Sequence, residues 1–86
     1  MPYFVYILFS SSRNRFYIGS SGQPNDRLKK HNTDHTGYTG KTHDWIIIYQ
    51  EEYQSKQEAQ RRERQIKSWK SAERIKRLIG LAHPGL

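Results

Sequence analysis

The stretch Tyr3-Phe4-Val5-Tyr6-Ile7-Leu8-Phe9 constrains the fold most, because seven apolar or aromatic residues follow one another with no polar partner on either face. A half-exposed strand would alternate; an unbroken run of this length reads as a strand buried on both sides. Whatever covers those two faces must come from a short chain. Eighty-six residues make one small domain, whose modest core hides roughly 60–65% of the surface the unfolded chain exposes. Hydrophobic residues are only 34% of the chain, yet three Phe, six Tyr and two Trp supply large pieces of core. The reading is a single domain over residues 1–86, with a core from about 3 to 79 and a short tail at 80–86.

Local signals fill in the order of elements. Ser10-Ser11-Ser12-Arg13-Asn14 is a polar turn, and Arg15-Phe16-Tyr17-Ile18-Gly19 returns as a second strand, so an antiparallel hairpin is expected. Gly22 and Pro24 lead into a short helix through His31, with Pro24 suited to its first turn. Thr33 to Asp44 reads as a loop. Trp45-Ile46-Ile47-Ile48-Tyr49 is the third strand and again looks buried on both faces. Ser55-Lys56-Gln57-Glu58 matches the capping-box pattern and starts a helix expected to reach about Lys70. Ser71 looks like the N-cap of a last helix that Gly80 would end. The order ββαβαα describes an α/β (α+β) domain: a small three-stranded sheet, mixed or antiparallel, flanked by helices.

Composition narrows the chemistry. With no cysteine there is no disulfide framework, no thiolate nucleophile and no Cys-based zinc finger. The longest apolar run is too short to span a membrane, and Met1-Pro2-Tyr3 lacks the basic start of a signal peptide, so a cytoplasmic address is expected. Fifteen Lys and Arg against eight Asp and Glu leave a net charge of +7 and a pI near 9.9, which makes nucleic acid the first candidate partner. Between Lys56 and Arg77 stand nine basic residues and three Glu, a local +6. Solvated helix faces would explain many of them. An excess of this size also suits phosphate-backbone contact, which gives affinity without sequence choice.

Five positions stand out by spacing. At 100° per residue Glu63 falls about 40° from Ala59, beside the apolar stripe that Ile66 continues, and it is a lone acid among Arg61, Arg62 and Arg64. It could form a partly buried ion pair with Arg62 or Lys67, or ligate a hard cation such as Mg²⁺, which wants carboxylate oxygen and keeps several waters. Arg27 and His31, at i and i+4, share a helix face next to Leu28. His31 and His35 also have two-His zinc spacing, but no Glu follows His31 and Gly37 argues that the helix has ended. Tyr6 and Tyr17 sit on the two hairpin strands, and Tyr17 shares a face with Gly19, where a strand glycine leaves room for a close approach.

Phe4-Val5-Tyr6, ten intervening residues, Tyr17-Ile18-Gly19-Ser20-Ser21, then Arg27 to Asn32 and Arg61 to Trp69 form an ordered series. This series resembles the GIY-YIG nuclease superfamily, and more closely its small stand-alone bacterial members, from Tyr3 to about Ile79. Phe4 and Val5 stand where the name has Gly and Ile. Ile75 stands where several DNA-cutting members carry Asn, about three helical turns after the glutamate.

The resemblance implies a GIY-YIG endonuclease-like fold and a one-metal phosphodiesterase acting on DNA. Glu63 would bind Mg²⁺ or Mn²⁺. Tyr6 would be the general base toward water, its phenol lowered by the metal and by Arg27, and Tyr17 would hold the nucleophile or phosphate. Arg27 would stabilise charge on the phosphoryl oxygens, and His31 would assist proton transfer or bind phosphate. Lys30, Lys41, Arg62 and Lys67 are the expected contacts to nucleic acid. Which of Tyr6 and Tyr17 is the base stays open, since both are phenols on adjacent strands. The expected activity is structure-selective or weakly sequence-specific cutting, with a place in DNA repair or recombination, by a monomer with no membrane partner. The alternative is a nucleic-acid-binding module that keeps the fold with little or no catalysis.

Overall fold

Residue Tyr6 can be buried only if the strand that carries it is flanked, and it is. A computed structural model describes residues 2–33 and 42–82, with side chains through 80; Lys41 and His35 lie outside these residues. The elements are β1 (Tyr3–Ser10), β2 (Arg15–Ser21), α1 (Pro24–His31), β3 (Trp45–Tyr53), α2 (Lys56–Ser68) and α3 (Ala72–Ala82). The sheet order is β2-β1-β3 with both pairings antiparallel. The unbroken apolar run is therefore the central strand.

Alternation along β1 divides the core in two. Val5 and Ile7 point one way, into a cluster with Ala59, Ile66, Ile75 and Ile79 of α2 and α3. Tyr6 and Leu8 point the other way, against Trp45, Ile47, Tyr17 and Leu28 of α1. Fully burying Val5, Ile7, Leu8 or Ile66 contributes roughly 1.5–3 kcal/mol each. A bulge between Ile7 and Leu8 against β3 lets Ile48 and Tyr49 both serve the α2–α3 side while Ile47 serves the other.

Four expectations are corrected. The third strand is an edge strand, not one buried on both faces: Ile46 is 55% exposed. It also continues past Tyr49 to Tyr53, where the half-buried Glu51 finds partners on the strand and on α2. Glu51 accepts hydrogen bonds from the Tyr49 hydroxyl, from the Tyr53 hydroxyl at 2.6 Å, and from Arg62 Nε and Nη2 at 3.0 and 3.1 Å. The second helix stops at Ser68 rather than Lys70, since Lys70 takes a left-handed φ of 50° that ends the helical path. The third helix runs through Gly80 to Ala82, with nothing packed within 4 Å of that glycine.

The caps behave as read. Ser55 Oγ accepts from the Glu58 backbone N–H at 3.2 Å, and Ser71 Oγ from that of Arg74 at 3.3 Å. Trp69 between the two helices is flanked by Arg62 and Arg74, whose guanidinium carbons lie 5.6 and 5.2 Å from its ring. At the other end Asp44 ties the hairpin turn to the start of β3. It accepts from Ser10 Oγ at 2.6 Å and the Ser12 N–H at 2.8 Å, which hold its carboxyl down at about 2.

Candidate active site

The antiparallel register places Tyr6 opposite Gly19. A Cβ at position 19 would stand 2.6 Å from the Tyr6 hydroxyl and 2.7 Å from Cζ. Only glycine permits that approach. The buried phenol lies over edge strand β2 with Tyr17 on the same face, two residues back.

Helix α1 covers this face. Leu28 packs into the Tyr6 cluster, and one turn further His31 sets its ring 4.5 Å from Tyr17 and 6.4 Å from Tyr6, centroid to centroid. Asn32 fixes the end of the helix. Its Nδ2 donates to the Trp45 carbonyl at 2.9 Å while its Oδ1 accepts from the Trp45 N–H at 2.8 Å, a two-point clamp to β3. Arg27 is exposed and lines a cleft of about 470 Å³ with Tyr3, Gly22 and Lys30, and its charge reaches Tyr6. Lys30 is likewise exposed.

Glu63 arrives from the opposite face. Ala59 and Ile66 are fully buried, so α2 presents Glu63 to β2 as the helical spacing predicts. Its Oε1 accepts from Ser20 Oγ, and its Oε2 accepts from Lys67 Nζ at 2.6 Å. Ser20 follows Gly19 with the opposite side-chain direction. Edge strand β2 is thus grasped from both sides, with the phenol over Gly19 and the carboxylate under Ser20.

Burial pushes the Tyr6 phenol up to about 12. The neighbouring Tyr17 and the Glu63 charge push the same way, and Arg27 pulls against them. The expected lowering by Arg27 is therefore outweighed: desolvation is the larger effect, and the hydroxyl keeps its proton at neutral pH. Tyr6, Tyr17, Arg27 and Glu63 thus share one electrostatic neighbourhood.

The donor set bears on a metal. Among the described residues no three His, Cys, Asp or Glu side chains gather into a multidentate site, which excludes an all-protein cage there. A single carboxylate suits Mg²⁺ or Mn²⁺, which take most of their coordination from water and substrate phosphate. Lys67, with its side chain 49% exposed, is free to swing off Oε2 without crossing the core.

Of the two ion-pair partners open for Glu63, Lys67 is the one used. Arg62, expected at phosphate, turns here to Glu51 and to Gln65 Oε1 at 2.9 Å, because the half-buried carboxylate on β3 offers it a two-nitrogen match. Ser20 was missed as a site residue, although its place after Gly19 in an alternating strand directs it at α2.

The family model of the GIY-YIG catalytic domain matches residues 2–76. The chain belongs to the GIY-YIG family. This is a nuclease family, and membership implies a nucleic-acid substrate. No curated protein matches the sequence. Among solved structures, the solution NMR structure of a UPF0213 protein from Bacillus halodurans is similar, with a TM-score of 0.60 at 25% identity over 99% of this chain and 89% of that one. No helix among the described residues is long and apolar enough to cross a membrane.

The GIY-YIG register explains the family's two tripeptides as they stand here. Tyr6 closes the first and Gly19 closes the second, and these two are cross-strand partners. Val5, inside the first, is fully buried toward α2 and does packing work. Ile75 is likewise core, 7% exposed and packed with Ile66.

Proposed function

We propose that this GIY-YIG protein is a divalent-cation-dependent endonuclease that hydrolyses phosphodiester bonds in DNA. The observation that supports it is the convergence of Tyr6 and Glu63 on Gly19 and Ser20 from opposite faces of one edge strand, with His31 against both phenols. A phosphate lying over that edge meets a proton acceptor, a carboxylate and a guanidinium at once. Water attacks phosphorus, the bond to the leaving oxygen breaks, and protons move off the first and onto the second. Tyr6, in the small fraction that holds the phenolate, accepts the water's proton, and His31, beside Tyr6 and Tyr17, carries a proton to the leaving oxygen or holds the phosphate. Tyr17 orients the nucleophile. The exposed Arg27 fork matches two phosphoryl oxygens. Glu63 would hold Mg²⁺ or Mn²⁺, which when bound would supply Lewis acidity and neutralise phosphate charge. Selection of substrate by shape or strand ends follows from the domain's size, and repair or recombination is the setting that suits it.

A second reading has its own support. Lys67 already neutralises Glu63, and Ile75 fills a position with packing, so the same surface could bind DNA with little or no cutting. Cleavage of labelled single-stranded, duplex and branched DNA, with Mg²⁺, Mn²⁺ or EDTA, decides between the two. The nuclease reading expects metal-dependent cutting that Glu63→Ala abolishes. Cutting by Glu63→Ala at the wild-type rate, or salt-sensitive binding with no cutting in either protein, overturns it.

A further inference from the structure

Away from the catalytic residues, a groove of about 660 Å³ runs between the start of β2 and the junction of α2 with α3. Phe16, Ile18, Ile66 and Ile75 form its apolar floor. Its rim is basic, with Arg13 and Arg15 on the hairpin side and Lys67, Lys70 and Lys76 on the helical side, and no acid among the described lining residues. Asn14 and Lys70, the two non-glycine residues with positive φ among those described, stand at the two turns that face each other across it. The groove therefore owes its shape to two tight turns.

Its position matters more than its charge. Lys67 belongs to the groove rim and also holds Glu63, so the groove opens onto the site. At the other end of β2, Ser21, Gly22, Arg27 and Lys30 line a second cleft, where Asp26 offsets one of the two positive charges. Gly19 and Ser20 lie between. Edge strand β2, seven residues and about 23 Å long, thus has a strongly cationic groove at one end, a cleft carrying Arg27 and Lys30 beside Asp26 at the other, and the reactive groups at its middle. At about 3.4 Å of duplex axis per phosphate of one strand, that length spans roughly seven phosphates.

We infer that the groove between the hairpin turn and the α2–α3 junction binds the sugar–phosphate backbone of DNA on one side of the cleaved bond, so that β2 is the track the substrate strand follows. The inference rests on the catalytic reading of the Tyr6–Glu63 site. Its contacts go to phosphates and carry affinity and register without base choice.

Binding of a fluorescent 20-base-pair duplex in EDTA, over a salt series, tests the groove independently of cutting. Lys70→Asn/Lys76→Gln keeps a residue tolerant of left-handed φ at position 70, and Arg15→Gln probes the opposite rim. Lys56→Gln/Arg61→Gln, exposed positions outside the groove, is the charge-matched control. The expected result is a loss of about tenfold or more in affinity for the double groove variant, and a log K against log salt slope shallower by about 2. Arg15→Gln should lower the slope by about 1, and the control should bind more nearly as wild type does. Equal losses in groove and control variants would overturn the inference, as would unchanged binding in both groove variants with native circular dichroism. Metal-dependent cutting by wild type, measured separately, keeps the two readings apart: cutting with an indifferent groove sinks the track alone, and groove binding without cutting sinks the nuclease.

Discussion

Tyr6 and Gly19 face each other across β1 and β2 so closely that the phenol occupies the space a side chain at position 19 would need. A glycine-to-alanine change in a strand ordinarily helps by stiffening the unfolded chain. Here it collides with a ring that is 3% exposed and has nowhere to retreat. Gly19→Ala should cost about 1–3 kcal/mol in urea unfolding and, by moving the phenol, about 100-fold in cleavage rate. A stabilised variant with full activity would show that Tyr6 has room after all.

The raised phenol sets a pH dependence. With Tyr6 ionising at about 12, only about one molecule in ten thousand holds the phenolate at pH 8. If Tyr6 is the base, log rate should climb by about one per pH unit between pH 7 and 9, and Tyr6→Phe should remove both the slope and most of the activity. Stability follows the same group with a fixed sign. A folded value above the unfolded 10.0 means its stabilisation is present in full below pH 10 and disappears as pH rises toward 12. Urea midpoints measured from pH 9 to 12 should fall, and less steeply in Tyr6→Phe.

Lys67 competes with any cation for Glu63 Oε2. Lys67→Met should therefore bind Mn²⁺ more tightly, by up to about fivefold, the worth of a half-exposed ion pair. Titration calorimetry on wild type, Lys67→Met and Glu63→Ala reads this directly, with the last expected to show no site. Weaker Mn²⁺ binding in Lys67→Met would mean that the ammonium supports the metal site instead of opposing it.

Glu51 anchors two phenols and the Arg62 guanidinium at the β3–α2 interface. Glu51→Gln leaves a half-buried guanidinium without its counter-charge and should cost about 1–3 kcal/mol in thermal unfolding. The Tyr53 phenol, held up at about 12 by burial and by this carboxylate, should then ionise closer to 10 in an absorbance titration, while DNA binding stays unchanged. A loss of DNA binding would return Arg62 to the phosphate surface.

Local features were legible because they are written in neighbouring residues. The run Tyr3–Phe9, the Ser55 and Ser71 caps and the place of Glu63 beside Ala59 and Ile66 all follow from spacing along one element. The end of α2 was less legible, since nothing in Lys70 announces a left-handed residue. The length of β3 was hidden for a different cause: Gln50, Glu51 and Glu52 look like a loop until Arg62, eleven residues later, is brought alongside.

By itself the sequence determined the order ββαβαα and the apolar strand at the heart of the sheet, because each depends on periodicity or on side-chain type. Only the tertiary structure decided that Tyr6 and Glu63 meet from opposite faces of β2, that Glu63 pairs with Lys67 while Arg62 serves Glu51, and that burial outweighs the pull of Arg27 on the Tyr6 phenol. Those outcomes turn on distance, desolvation and competition between partners far apart in the chain. None of these quantities exists until the sheet and helices have packed.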